Sequence, residues 1–325
     1  MKIVITGGAG FIGSHLAEFL IKKNHRIIII DNLSTGRLNN IKKFKNKLKF
    51  VKADISKIGK WTENFKNTEI VFHLAALADI VPSIQNPKKY FEANVVGTEN
   101  VASTSIKYKV KKVIYSASSS CYGLPSCYPT SETENIKPQY PYALTKNLGE
   151  QILLHYAKIY GLHVTSLRLF NVYGTRSRTS GTYGAMFGVF LAQKLKNKPL
   201  TVVGSGMQKR DFTYISDVII AFYKSIKVKK NFKIYNLGTG KPISVNRIVK
   251  LLGCKSINIP KRPGEPDQTN ANISKIKKEL NWEPKVNIEQ GIKKLLKEID
   301  YWNKAPVWTP KKIEIATKDW FKFLT

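Results

Sequence analysis

The chain has 325 residues, 42% of them hydrophobic and 23% charged, an ordinary globular composition that allows one large domain or two closely packed ones. No apolar run reaches membrane-spanning length, and MKIVITGGAG is too short and too soon broken by glycine to serve as a signal peptide, so neither a span nor secretion is expected. Cys121, Cys127 and Cys254 make no CxxC pair and read as free thiols in a reducing cytoplasm, while the net charge of +32 is lysine strewn along the whole chain, which reads as a solvated surface rather than a nucleic-acid face.

In chain order, residues 2–6 (KIVIT), 26–30 (RIIII), 48–51, 70–74, 112–116 and 163–170 are apolar runs of strand length. Between them, residues 11–23, 90–107 and 142–160 carry apolar side chains at three-to-four spacing, as helices do. Strand–helix–strand repetition implies parallel strands joined by right-handed crossovers, hence an α/β fold with a doubly wound parallel sheet, Rossmann-like. The expected boundaries are 1–172 for this dinucleotide-binding domain and 173–325 for a smaller, interleaved α+β substrate domain, with residues 206–240 or so returning to the first. Gly- and Thr-rich loops fill 174–184, where Arg176 and Arg178 read as solvated charge. Near the end, Thr309 and Pro310 form an N-cap and first helical position, opening an amphipathic helix through Phe321.

Gly7, Gly10 and Gly13 in TGGAGFIGSHL follow the first strand directly and open the first helix. Glycine is needed there for a tight turn, for close approach of backbone to a pyrophosphate and for helix–strand packing. The helix N-terminus, from Phe11 and Ile12, then offers unpaired N–H groups to phosphate. Asp31 closes the second strand, where a carboxylate accepts the adenosine ribose hydroxyls and repels a 2′-phosphate. The residues right after it, Asn32 and Leu33, are not basic, which favours NAD over NADP.

Tyr142 and Lys146 stand four apart in PYALTK and so share one helix face. A free tyrosine has a pKa of about 10, so acting as a base near neutrality needs a depression of roughly 3 units, or about 4 kcal/mol. A neighbouring ammonium and the positive nicotinamide ring can supply it in a dry cleft. Ser118, in SASSSCYG, lies at the carboxyl end of a strand, where open sheets place their ligands. Five scattered histidines show no metal-ligand spacing, and no metal is expected. His73 ends a buried strand, and Tyr122 reads as packing.

With these motifs the chain resembles the extended short-chain dehydrogenase/reductases, most closely the nucleotide-sugar epimerases such as UDP-galactose and UDP-N-acetylglucosamine 4-epimerases. The likeness runs from Lys2 to about Leu296 through TGGAGFIGSHL, DNLSTG, HLAA, SASSSCYG, YALTK, RLFNVYG, KRDFTYISDV and RPGE. It implies that Asp54 and Ile55 border the adenine, that Leu74, Ala75 and Ala76 face the pyrophosphate and ribose, and that Asn94, Ser116 and Phe170 lie near the rest of NAD. It implies that Ser118, with Ser119 beside it, meets the sugar 4-hydroxyl. Asn171, Arg210 and Arg262 would then hold the nucleotide diphosphate, and Glu265 the nucleotide ribose. Val203 takes a place near the base where several relatives have an aromatic ring.

Where the related 4,6-dehydratases and decarboxylases carry acidic residues after the catalytic Ser or Thr, this chain has Ser119 and Ser120. The resemblance therefore implies a 4-epimerase that oxidises and re-reduces C4 of a UDP-hexose. Thr269, seven past Arg262, is small where a tyrosine would crowd the C2 substituent, so UDP-N-acetylhexosamines are expected substrates. A UDP-uronic acid 4-epimerase and a nucleotide 4-ketosugar reductase stay open as alternatives, as does a non-catalytic nucleic-acid-binding protein on the same fold. The helices at 90–107 and 142–160 resemble those that pair relatives into homodimers.

Overall fold

A computed structural model describes residues 1–177, 185–229 and 231–324. Six strands come from the first half: β1 (Lys2–Thr6), β2 (Arg26–Asp31), β3 (Leu48–Lys52), β4 (Ile70–His73), β5 (Lys112–Ser118) and β6 (His163–Leu169). With the strand Phe232–Leu237 they form a seven-stranded sheet, every pairing parallel, in the order Phe232–Leu237, β6, β5, β4, β1, β2, β3. The runs of Ile and Val suit this, because helices cover both faces of such a sheet and leave no polar side. Ile3, Val4, Ile5, Ile29 and Ile30 are fully buried.

The strands match expectation within a residue or two. The useful difference is at β5, which continues past residue 116 because Ala117 and Ser118 still pair with Arg168 and Leu169 of β6. Ser118 is thus held in the ladder rather than left in a loop.

Helix α1 (Phe11–Lys22) begins at Gly10, and the helix Pro141–Tyr160 begins with proline at its first position and ends at Gly161 in the left-handed region. The single helix expected over 90–107 is instead three pieces. An α-turn, Pro87–Phe91, is capped by the Asn86 side chain, a π-turn follows over Glu92–Val96, and Gly97–Lys107 resumes as α-helix. A π-turn admits one extra residue per turn and marks a local demand stronger than helix regularity. Here the Asn94 carboxamide reaches Leu77 and Thr145.

Beyond residue 170 short strands pair in twos: Asn171–Tyr173 with Phe212–Tyr214, Leu200–Val203 with Ser256–Ile259, and Lys209–Arg210 with Ile243–Ser244. The chain then re-enters the large sheet through Phe232–Leu237, and Lys112 at the foot of β5 donates to the carbonyls of Ser225 (3.4 Å), Ile226 (3.2 Å) and Val228. The C-terminal helix runs over Pro310–Phe323, two residues past expectation, capped by Thr309. No described helix is long and apolar enough to cross a membrane.

Candidate active site

One cavity of about 690 Å³ opens along the carboxyl ends of the strands. In an open sheet that is where ligands bind, at the point where strand order reverses, here between β1 and β4. Gly7, Gly10, Phe11, Ile12 and Gly13 form one wall, facing Leu74, Ala75 and Ala76. Gly7 has φ +71°, and a Cβ on it would lie 2.6 Å from the Ala75 nitrogen. At Gly13 a Cβ would lie 2.3 Å from the Gly7 carbonyl. Any side chain at either position would force the turn open.

Asp31 accepts from the Ala9 nitrogen (3.0 Å) and the Leu33 nitrogen (2.8 Å), and burial raises its pKa. A carboxylate accepts about four hydrogen bonds, so two positions stay available for ribose hydroxyls. Asn32 donates to Asp54 (3.0 Å), and both line this end with Ile55, while Ser116 and Phe170 line the cavity from the ends of β5 and β6, on the far side of β1 and β4. Glycines that bring bare backbone to the cavity wall, and the spare carboxylate positions, fit a dinucleotide. Asn94, expected near NAD, is 1% exposed behind the cavity wall, with its carboxamide bonded to Leu77 (2.8 and 3.0 Å) and Thr145 (3.0 Å). It braces the segment after Ala76.

Ser118, Ser119, Tyr142 and Lys146 meet in the middle of the cavity. The Ser118 hydroxyl accepts from the Ser120 nitrogen (3.2 Å) and shares a bond with the Ser120 hydroxyl (2.8 Å). Lys146 sits one helical turn beyond Tyr142, its ammonium 4.2 Å from the centre of the Tyr115 ring. Burial lowers its pKa to about 7, and Glu150, a further turn along, opposes this. Glu150 in turn holds Arg168 (2.5 Å) and Ser166 (2.5 Å) in the core. Arg168 donates to the Tyr122 hydroxyl (2.9 Å), which donates to Asn236 (2.7 Å). Tyr122 is therefore packing, as read, and it steadies the turn after Ser118.

Around Tyr142 burial raises the pKa and the Asp79 carboxylate adds to that, while bonds from Ser118 and Ser120 pull it down. The expected depression therefore calls for positive charge beside the hydroxyl, of the kind a nicotinamide ring would bring. His73 is a structural peg, bonded to Thr6 (2.7 Å) and Thr98 (2.9 Å) and held neutral with a pKa of about 3 by burial.

At the far end the wall carries Asn171, Val203, Arg210, Arg262, Glu265 and Thr269. Arg210 lies 3.3 Å from Glu265, and Arg262 lies 3.9 Å from it. The Thr269 hydroxyl donates to Asn171 (2.8 Å) and accepts from the Asp211 nitrogen (3.0 Å). Arg176 also lines the cavity but is paired with Glu18, and Arg178 lies outside the described residues.

Several lining residues escaped the sequence reading. Arg37, six past Asp31, does bring a basic group to the cofactor end, and its place just after DNLSTG was the available signal. Asp79 brings a carboxylate to Tyr142 from the N-cap of the short helix Ile80–Gln85, beyond β4. Tyr140 precedes the catalytic motif by two. Trp320 arrives from the C-terminal helix, and nothing local in the sequence marks it.

A glycine-walled dinucleotide crevice that opens on a Ser–Tyr–Lys trio defines an enzyme of the short-chain dehydrogenase/reductase class. The profile of the "NAD dependent epimerase/dehydratase family" matches residues 3–238, and the chain belongs to that family of NAD-dependent enzymes. It is 35% identical to a UDP-glucuronate 4-epimerase of Thermodesulfobacterium geofontis, over 96% of this chain and 99% of that one. A UDP-glucose 4-epimerase of Thermotoga maritima, solved with UDP-glucose, superposes with a TM-score of 0.85 at 33% identity, covering 94% of this chain and 99% of that one. A UDP-N-acetylglucosamine 4-epimerase of Methanobrevibacter ruminantium, solved with UDP-N-acetylmuramic acid, gives 0.85 at 30%, covering 91% and 98%.

Proposed function

We propose that the protein is a UDP-sugar 4-epimerase that accepts UDP-N-acetylhexosamines as well as UDP-glucose and UDP-galactose. The observation that carries this is the continuity of the cavity. Its middle holds Ser118, Tyr142 and Lys146, and its far end holds Arg210, Arg262 and Glu265, so a reacting sugar and its nucleotide diphosphate share one space with the cofactor. NAD supplies acceptance and return of hydride at C4. Tyr142 takes the 4-hydroxyl proton and later gives it back, Ser118 bridges the same oxygen, and Lys146 lends its charge to the tyrosinate. Arg210 and Arg262 match the planar oxygens of phosphate, and Glu265 accepts the nucleotide ribose hydroxyls.

The relatives act on different sugars, so the choice rests on the pocket. Thr269 is on the wall with its hydroxyl committed to Asn171, and a side chain this small, if it faces C2 as the resemblance implies, supports room for an acetamido group. Asp79 sets a negative charge near Tyr142, and a UDP-uronic acid stays the alternative that the same panel tests. Incubating the protein with a panel of UDP-hexoses and reading anomeric protons by NMR tests the reading. Epimerisation at C4 without added cofactor is the expected result, and turnover only with stoichiometric nicotinamide would make it a ketosugar reductase. Thr269→Tyr should lower kcat/KM for UDP-N-acetylglucosamine relative to UDP-glucose about 10-fold, the scale of overpacking by roughly 1–3 kcal/mol. An unchanged ratio rules Thr269 out as the gate.

A further inference from the structure

Trp320 is 2% exposed and reaches the cavity wall from the C-terminal helix. On one side, its ring nitrogen donates to the Pro263 carbonyl (2.8 Å), and the Arg262 guanidinium stands 5.3 Å from its ring. On the other side lies Tyr140, at 6.2 Å and 51°. Tyr140 in turn stacks on Tyr142 at 6.4 Å with the rings within 8° of parallel. A file of side chains, Tyr142–Tyr140–Trp320–Arg262, therefore joins the base to the phosphate-binding arginine.

The helix is anchored independently of this file. Asp319 accepts from Gln85 (3.0 Å), at the end of the short helix Ile80–Gln85 that follows Asp79. Ahead of it, the Trp308 carbonyl accepts from Gln193 (2.7 Å), and Tyr301 donates to Asn40 (2.8 Å) at the cofactor end. The last part of the chain is strapped along the cavity from one end to the other.

We propose that Trp320 is a positioning residue for the substrate half, fixing the distance between Arg262 and Tyr142; this rests on the nucleotide-sugar reading above. In such a substrate the span from the diphosphate to C4 is set by covalent bonds. The base and the arginine belong to elements that share no strand, the helix Pro141–Tyr160 and the loop before Pro266. The Trp–Tyr pair is a side-chain path that ties one to the other, and a fraction of an ångström there decides whether both ends are met at once.

UDP binding by calorimetry, KM and kcat for the best UDP-sugar, and bound NAD per chain are to be measured in Trp320→Ala and Trp320→Phe. Trp320→Ala should weaken UDP about 10-fold and raise KM likewise, with NAD content unchanged. Trp320→Phe keeps one aromatic ring but loses the second ring of the indole and the bond to Pro263, so it should fall in between. UDP affinity and KM within about twofold of wild type in Trp320→Ala overturn the proposal, as does parallel loss of NAD, which would make the helix a mere support of the fold. Should Trp320→Ala not fold, Trp320→Phe decides by the same readouts, with UDP affinity and KM at the wild-type values overturning the proposal. If wild type binds UDP but epimerises no UDP-sugar, and UDP still weakens in Trp320→Ala, the function above fails while this inference stands. A wild type that does not bind UDP overturns both.

Discussion

Around Tyr142 the balance of forces can be read group by group. Burial and Asp79 hold its proton on, and Ser118 and Ser120 offer bonds that favour its release. A group set this way is a poor base alone and becomes one when positive charge arrives, which links proton removal to a bound cofactor. Tyr142→Phe should cut epimerase turnover by a factor of about 10²–10⁴ with UDP binding intact, and a near-normal rate would exclude it as the base. Lys146 carries a different signature. Its pKa drops to about 7 from an ordinary 10.5 because it is buried. Between those values the unfolded chain binds a proton there and the folded chain does not, so this residue's destabilising effect is full below about pH 7 and fades as pH rises. In cofactor-stripped protein, Lys146→Met should raise the melting temperature near neutrality, with the gap closing above about pH 10. Melts from pH 6 to 10 showing a constant gap would refute this. Most of these residues were legible because Tyr142 and Lys146 lie one helical turn apart and Ser118 ends a strand. Asp79 and Trp320 were not, since their approach depends on how distant segments pack.

Among the elements, those in the sheet were the most legible. β1 was read to the residue, because an apolar run bounded by a charged start and a glycine turn leaves little freedom. The π-turn over Glu92–Val96 left no trace in the apolar spacing. It answers to one carboxamide, Asn94, whose partners Leu77 and Thr145 come from elsewhere. The helix Pro141–Tyr160 buries one face on the sheet and keeps Leu144 (45%) and Ile159 (55%) exposed on the other, with Phe91 (47%) exposed on the neighbouring turn. Leu144, Ile159 and Phe91 are separate exposed apolar side chains rather than one continuous patch, since the exposed positions between Leu144 and Ile159 are Gln151, His155 and Lys158. A homodimer through these helices is the expectation, and light scattering at micromolar concentration should report two chains. Changing Leu144 and Ile159 together to lysine should give a monomer. A wild-type monomer, or a double variant that still pairs, would place the contact elsewhere or nowhere.

Across the whole molecule, topology places the cofactor. Strand order reverses between β1 and β4, and Gly7 and Asp31 stand at the strand ends beside that reversal. Freshly purified protein, once denatured, should release NAD or NADH, and NADP should bind at least about 10-fold more weakly because of Asp31. Recovery of NADP as the main nucleotide would contradict the role of Asp31 and point to Arg37. The same topology bears on how the chain is made. The seventh strand, Phe232–Leu237, joins β6 only after the intervening segment has left the ribosome. Until then β6 is an open edge of bare N–H and C=O groups, ready to pair with another nascent chain. Lys112 cannot reach the carbonyls of Ser225, Ile226 and Val228 before that moment either. A fragment ending anywhere between residues 170 and 231 should therefore be sticky rather than self-standing. The seven-stranded sheet is complete only when the whole segment between β6 and residue 232 has already been synthesised.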